Sequence, residues 1–153
     1  MEFQVVGLDV GHSAVKLVFE VGDGVARDMF ASLACPAFAI SNPLEAQRAQ
    51  AETVSVGGRD YFVGDTARIQ AQAELASGLT DGWIESPEHA ALVLQALRIV
   101  QQQGGQQPRL WVVGLPVGQF ARDRERLAQV MAELLPPGDR IKVLQQPDAV
   151  YFG

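Results

Sequence analysis

The sequence predicts an α/β fold built on a β-sheet of mixed direction, and three observations lead to this prediction. The N-terminal segment alternates apolar runs with turn signals, which is typical of an antiparallel three-stranded meander. The second half of the chain alternates apolar runs with amphipathic helical patterns, which indicates a strand-helix-strand-helix-strand arrangement. Its clearest run, Leu110-Trp111-Val112-Val113, is continuously apolar, as expected of a central strand covered on both faces.

The composition is that of a folded domain and argues against several classes of protein. The chain has 153 residues, of which 48% are hydrophobic and 20% are charged, so it can bury a sizeable core. Its net charge of −6 argues against a broad surface for nucleic acid or anionic membrane. No stretch approaches the ~20 apolar residues of a membrane span, and the N-terminus lacks a signal-peptide pattern. We therefore expect a cytoplasmic protein without direct nucleic-acid or membrane partners.

The meander is predicted to begin with a strand, a tight turn and a second strand around Asp9-Val10-Gly11. An apolar run enters this sequence and an alternating apolar segment leaves it. Gly22-Asp23-Gly24 is a strong turn signal, and Val25–Leu33 is the third predicted strand.

The first turn has the residues expected of a phosphate cradle. Gly11 can take a positive φ and leaves room for a ligand oxygen, while the N–H groups of the turn can converge on an anion. Asp9, at the carboxyl end of its strand, can hold a hydrated Mg²⁺, and Lys16 can add a point charge for a terminal phosphate. Asp-x-Gly is also ordinary turn chemistry, so the motif alone leaves a purely structural turn as an alternative.

Residues 34–52 differ in composition from the meander, since Cys35-Pro36 and Asn42-Pro43 interrupt a stretch that becomes rich in Ala and Gln. We predict an irregular excursion here. A hairpin follows, with strands over 53–56 and 59–63 around a Gly-Gly turn. Asp65 or Thr66 is predicted to cap a short helix that ends near Glu74.

Two helices and a final strand are predicted after this region. Ser86 is the expected N-cap of the first helix, with Pro87 at its first position, and Gly104-Gly105 ends it. His89 lies in the first turn of this helix and is expected at the surface or in a cap, not as a ligand. The last predicted strand spans 141–144. The second helix spans about 119–135 and directs an apolar set inward: Phe120, Leu127, Val130, Met131 and Leu134.

The turn at Asp9 resembles the first phosphate loop of the actin, hexokinase and heat-shock-ATPase superfamily. It is most similar to that of the bacterial actin-like proteins that segregate plasmids. These carry an aspartate, a glycine two residues later and a lysine seven residues after the aspartate, as Asp9, Gly11 and Lys16 do here. His12 departs from this pattern, because a small polar residue is usual there, and we expect Ser13 to supply the hydroxyl instead.

Three further segments extend the resemblance over essentially the whole chain. Val63–Ala67 is similar to a valine-glycine-acidic-x-alanine sequence of the family, and Gly114-Leu115-Pro116 is similar to the glycine-leucine-proline turn after the corresponding strand. Gln146 precedes a proline where bacterial actins place a glutamate or glutamine. The resemblance implies that Gln146 orients the attacking water, with Gln145 and Asp148 as the alternative candidates.

The resemblance also implies an actin-like, ribonuclease H-like domain with a small α+β insertion. Residues 1–33 and 84–153 would form subdomain IA, and residues 34–83 would form the inserted subdomain IB. By this resemblance, we expect the second nucleotide-binding domain of the family to be absent from this chain. We therefore expect the chain to be the first domain of a longer protein and to be inactive alone.

By the same resemblance, the intact protein would bind ATP or GTP with Mg²⁺, hydrolyse it, and associate with itself into filaments for plasmid or DNA segregation. A DNA-binding adaptor protein is an expected partner. Two alternatives from the same superfamily are a small-molecule kinase and a non-hydrolysing actin-like scaffold of cell division or pilus assembly. The implied roles are catalysis by Gln146 and Asp9, metal binding through water by Asp9, and nucleotide binding by Gly11, His12, Ser13 and Lys16.

Overall fold

The structure is a computed structural model that describes residues 3–71, 82–104 and 107–146. In this part of the chain it contains eight strands and four α-helices. The strands are β1 (Gln4–Val10), β2 (Ala14–Val21), β3 (Gly24–Ala31), β4 (Ala34–Pro36), β5 (Thr53–Val56), β6 (Arg59–Val63), β7 (Arg109–Pro116) and β8 (Arg140–Gln146). The helices are α1 (Pro43–Ala49), α2 (Gly64–Ala71), α3 (Pro87–Gln102) and α4 (Val117–Leu134). Short 3₁₀ turns lie at Gln50–Glu52 and Trp83–Glu85.

A five-stranded sheet of mixed direction forms the centre of the fold, in the strand order β3-β2-β1-β7-β8. Strands β1, β2 and β3 form an antiparallel meander, whereas β7 runs parallel to β1 and β8 runs parallel to β7. The second half of the chain supplies α3, β7, α4 and β8 in that order. The predicted α/β fold, with a meander followed by alternating strands and helices, is confirmed.

The hydrophobic core lies on one face of this sheet. Val6 and Leu8 of β1 and Trp111 and Val113 of β7 are buried in one cluster with residues of α3 and α4, and the positions between them are less buried. Such alternation is typical of strands with one covered face. The expectation that β7 is covered on both faces is therefore wrong for the described part of the chain, because its alternate residues, such as Val112, keep partial exposure.

A smaller antiparallel sheet, in the order β4-β6-β5, comes between the meander and α3 in the chain. The predicted hairpin is confirmed, since β5 and β6 pair around Gly57 and Gly58, both of which have positive φ. Tyr61 and Val63 of β6 belong to the same buried cluster as the central sheet, so the two sheets share one core. The assignment of residues 34–83 to a separate inserted subdomain stays a prediction.

Helix α1 lies in the stretch that was expected to be irregular, so that expectation is wrong for residues 43–49. Asn42 caps the helix, because its Oδ1 accepts hydrogen bonds from the N–H groups of Leu44 (2.9 Å) and Glu45 (3.1 Å). Pro43 takes the first helical position, where a backbone N–H would have no partner within the helix, so its missing N–H costs no hydrogen bond. The Asn-Pro pair is therefore a helix start and not a turn.

Helix α2 begins at Gly64, ahead of the predicted caps Asp65 and Thr66. Glu52 takes the capping role instead, because its Oε1 accepts hydrogen bonds from the Thr66 N–H (3.1 Å) and from the Thr66 hydroxyl (2.8 Å). A cap supplied by a residue far along the chain leaves no local pattern in the sequence. The predicted helix end near Glu74 lies outside the described residues.

The start of helix α3 is confirmed. Ser86 is its N-cap, with Oγ accepting a hydrogen bond from the His89 N–H at 3.1 Å, and Pro87 is its first residue. Helix α3 ends at Gln102, and Gly104 has a positive φ just beyond it. None of the helices in the described ranges is both long enough and apolar enough to cross a membrane.

Strand β7 continues through Gly114-Leu115-Pro116, which was expected to form a turn after the strand. The correction follows from its pairing with β8, which holds the ladder together as far as Pro116 opposite Gln146. Helix α4 then begins directly at Val117. Of its predicted inward residues, Leu127 and Met131 are fully enclosed in the core.

A buried carboxylate joins the starts of β7 and β8. The side chain of Asp139 is 0% exposed and accepts hydrogen bonds from the Arg109 backbone N–H (3.0 Å) and from the indole N–H of Trp111 (3.0 Å). The guanidinium of Arg109, whose side chain is 3% exposed, donates to the same carboxylate from Nη1 at 3.3 Å. Each buried charge is therefore the partner of the other.

Removing this carboxylate should destabilise the chain strongly. Asp139→Ala leaves the Arg109 charge buried without its partner, and we expect a loss of about 3–5 kcal/mol in the free energy of unfolding, measured by urea denaturation. The control is Asp65→Ala, which breaks the exposed pair between Asp65 and Arg68 and should cost less than ~1 kcal/mol. Equal losses in the two variants would contradict the role given to Asp139.

Candidate functional site

The candidate site is a cavity of about 230 Å³ at the carboxyl ends of β1, β7 and β8. A larger cavity of about 330 Å³ lies at the opposite end of the sheet, beside Gln4 and Pro108. Ligands of α/β sheets bind at the carboxyl ends of the strands, so the smaller cavity is the better candidate. Its wall combines polar residues with apolar ones, including Asp9, Gly11, His12, Gln119 and Gln146 on the polar side and Trp83, Ile84, Leu127 and Met131 on the apolar side.

The structure brings together most of the residues that the sequence predicted for this site. Ser13 and Lys16 are outside the lining: Ser13 is exposed at the tip of the β1–β2 hairpin, and Lys16 lies on β2 opposite Asp9. Of the alternatives to Gln146, Gln145 is exposed on β8 and Asp148 lies outside the described residues. The predicted residues that do line the cavity are Asp9, Gly11, His12 and Gln146.

The β1–β2 hairpin turns tightly at Gly11, but not by the expected means. The φ of Gly11 is outside the left-handed region, so the expectation of a positive φ is wrong. Glycine is favoured for space instead, because a Cβ here would make a tight contact, 3.1 Å from the Ala14 carbonyl oxygen, which accepts a hydrogen bond from the Gly11 N–H at 3.0 Å. Within the described residues, the N–H groups of His12 and Ser13 have no acceptor, so these two remain available to an anion.

Asp9 is a half-buried carboxylate whose charge is only partly compensated. Burial raises its pKa, while a hydrogen bond from the Gln146 side chain and the positive charge of Lys16 act to lower the pKa. A bound cation would favour the ionised carboxylate in the same way. The described residues contain no cluster of three or more His, Cys, Asp or Glu side chains, so a cation held here would have to keep water ligands, as Mg²⁺ does.

His89 is a residue of the cavity wall that the sequence analysis placed wrongly. It was expected at the surface or in a cap, yet its side chain is buried and packs edge-on against Trp83, with ring centroids 5.8 Å apart. Burial lowers the pKa of His89 to about 4, and its Nδ1 has no hydrogen-bond partner in the described structure. The signal was present in the sequence, because His89 is four residues before Val93 on the buried stripe of α3.

Comparison with known proteins identifies the family. Residues 7–135 match the family described as the N-terminal domain of actin-like proteins. The chain belongs to this family. No curated protein sequence matches the chain. The actin-like fold expected from the sequence is confirmed, whereas the roles of individual residues stay predictions.

Several solved actin-like structures resemble this domain. The filament of AlfA from B. subtilis plasmid pLS32 has a TM-score of 0.64 at 14% identity, with 94% of this chain and 55% of AlfA covered. ParM of Bacillus thuringiensis in its apo form has a TM-score of 0.59 at 14% identity, with 96% and 45% covered. MreB5 of Spiroplasma citri bound to ADP has a TM-score of 0.60 at 15% identity, with 94% and 38% covered. This actin-like chain thus spans about half the length of these proteins or less.

We expect the stability of the chain to fall in mild acid because of His89. Its pKa in the folded chain, about 4, is below the ordinary value of 6.5. Between these two values the unfolded chain binds more protons than the folded chain, so lowering the pH favours unfolding. This single group should lower the free energy of unfolding by about 2 kcal/mol between pH 7 and pH 5.

The matched variant for this prediction is His89→Phe, which keeps an aromatic ring against Trp83 but does not titrate. Urea unfolding of both proteins at pH 7 and pH 5 should show a smaller acid effect in the variant. The carboxylates, including Asp9 with its raised pKa, titrate in both proteins, so the difference between the two reports on His89. An equal loss of stability in acid in both proteins would contradict the role given to His89.

Proposed function

We propose that this domain forms one side of the nucleotide site of a filament-forming actin-like protein that hydrolyses ATP or GTP with Mg²⁺. The observation that carries the proposal is the meeting of Asp9, the β1–β2 hairpin and Gln146 at one cavity, in a chain of the actin-like family. An isolated Asp-x-Gly turn would not require a polar side chain from β8 beside it. The presence of Gln146 beside Asp9 in the same cavity therefore favours a site over a purely structural turn.

In this proposal, the chain's own residues divide the work of phosphoryl transfer. The N–H groups of His12 and Ser13, at the tip of the hairpin, donate hydrogen bonds to the phosphate anion. Lys16 adds a positive charge beside Asp9. Asp9 holds Mg²⁺ through water, and the ion neutralises charge on the terminal phosphates. Gln146 orients the attacking water through its carboxamide. A glutamine positions water without acting as a base, which is consistent with slow turnover.

The proposed biological role is filament-based segregation of plasmid or other DNA in the cytoplasm, with a DNA-binding adaptor as partner. The resemblance to AlfA, whose solved form is a filament of a plasmid protein, supports self-association, and the resemblance to ADP-bound MreB5 supports nucleotide binding. Because these proteins extend well beyond the matched region, we propose that a second domain completes the site in the full-length protein. Filaments arise when head-to-tail contacts between subunits do not close into a ring.

Asp9→Ala in the full-length protein should abolish Mg²⁺-dependent nucleotide hydrolysis while leaving the fold intact. The carboxylate lies at a strand end, where it contributes little to packing and would contribute much to a hydrated cation. Phosphate release is the measurement, with circular dichroism as the check on folding. Asp23→Ala, in the exposed turn between β2 and β3, is the control and should hydrolyse like the parent. Parental activity of Asp9→Ala would reduce Asp9 to a turn residue.

Gln146→Ala should separate nucleotide binding from chemistry. We expect nucleotide affinity to change little and hydrolysis to slow by roughly 10²-fold, which is about 2.7 kcal/mol of transition-state stabilisation. Light scattering should then rise normally on assembly and fail to decay, because the subunits retain the nucleotide that favours the polymer.

The neighbouring variant Gln145→Ala provides the comparison, since Gln145 is exposed on the same strand and outside the cavity lining. Slowed hydrolysis in Gln145→Ala but not in Gln146→Ala would move the water-orienting role to Gln145. Binding of nucleotide by the parent without any hydrolysis would favour the alternative of an actin-like scaffold.

A further inference from the structure

Asp9 and Gln146 interact although their strands are not neighbours. Asp9 is on β1 and Gln146 is on β8, and β7 lies between these two strands in the central sheet. Adjacent strands are about 4.8 Å apart, so the two backbones are separated by roughly 10 Å. Both side chains line the same cavity, so Gln146 must lie over β7 to reach the neighbourhood of Asp9.

The residue of β7 at the crossing point is Gly114. Leu8 pairs with Val113, so the next step of that register places Asp9 beside Gly114. On the other side, Gly114 pairs with Leu144, and Gln146 is two residues further along β8 on the same face. Gly114 thus lies between the carboxylate of β1 and the carboxamide of β8.

The side chain of Gln146 occupies the place that a side chain of residue 114 would take. A Cβ added to Gly114 would lie 2.5 Å from Gln146 Cδ and 2.6 Å from Gln146 Cγ, closer than real Cβ atoms approach other atoms. The φ of Gly114 is outside the left-handed region, so its backbone does not itself require glycine. The position requires glycine for space alone.

A second glycine of the same sheet shows that this requirement is specific. Gly7 on β1 is also only partly buried and also has no left-handed φ. A Cβ at Gly7 would meet only the Val18 carbonyl oxygen, at 3.6 Å, which is an ordinary contact. Alanine is therefore tolerated at position 7 and excluded at position 114 as long as Gln146 keeps its place.

The geometry points to Gly114 as a positioning residue: its missing side chain lets Gln146 lie across β7 and reach Asp9. The consequence for nucleotide hydrolysis rests on the proposed function, in which Gln146 orients water beside the metal-binding carboxylate. In Gly114→Ala, the methyl group displaces Gln146 from Asp9 while the strand itself is kept, because alanine fits an extended backbone. Gly114 acts only through Gln146 and touches no reacting atom.

The placement of Gln146 can be tested without nucleotide, by nuclear magnetic resonance on the 153-residue chain. The side-chain amide signals of Gln146 are assigned by their loss in Gln146→Ala. In Gly114→Ala we expect them to move to the region of exposed glutamines such as Gln102, and in Gly7→Ala we expect them to stay. Unmoved signals in Gly114→Ala, in a folded variant, would overturn the inference.

The effect on chemistry is tested in the full-length protein with a double variant. Gly114→Ala should slow hydrolysis by roughly 10²-fold, like Gln146→Ala, with nucleotide affinity within about threefold of the parent. The double variant should be no slower than either single variant, because the methyl group has nothing left to displace. Multiplied effects in the double variant would show that Gly114 acts by another route and would overturn the inference. If the Gln146 amide signals move in Gly114→Ala but the full-length parent hydrolyses no nucleotide, the placement of Gln146 by Gly114 is upheld and the proposed function is contradicted.

Discussion

The architecture of the site depends on a buried charge pair at the opposite end of the sheet. Asp139 binds the backbone and guanidinium of Arg109 and the indole of Trp111, and so ties the first residues of β7 to the turn that leads into β8. Two paired strands keep one register along their length. The pairing of Leu110 with Arg140 at one end therefore also sets the pairing of Pro116 with Gln146 at the other end. A carboxylate outside the cavity lining thereby decides which residue of β8 faces the cavity.

The rest of the site follows from the same logic of strand order and register. The parallel pairing of β1 with β7 brings the β1–β2 hairpin to the edge where β7 and β8 end, and α4 begins at that edge, directly after β7. Only one face of the sheet is packed by α3 and α4 in the described part of the chain. Backbone pairing therefore positions the polar residues, and the core on one face keeps the strands in place.

Local patterns in the sequence predicted several elements whose cause is local, although the local start of α1 at Asn42 and Pro43 was interpreted as irregular. The meander, the Gly57-Gly58 hairpin and the Ser86 cap all follow from residues within one turn of each other. Gln146 was predicted only through resemblance to a family, because its proximity to Asp9 depends on two strand pairings. The cap from Glu52 was missed because it depends on residues brought together by the tertiary fold. The burial of His89 was missed although its place on the buried stripe of α3 indicated it.

The space above Gly114, which the side chain of Gln146 fills, has a consequence for how this domain can diverge. Positions 114 and 146 share a single volume, so a substitution at one changes which residues are acceptable at the other. A relative with a side chain at position 114 must have a shorter residue at position 146, or the side chain at 146 must cross the sheet by a different path. The two sites should therefore covary through evolution although they are 32 residues apart in the chain. The constraint is one of shape, so it does not depend on whether a relative hydrolyses nucleotide.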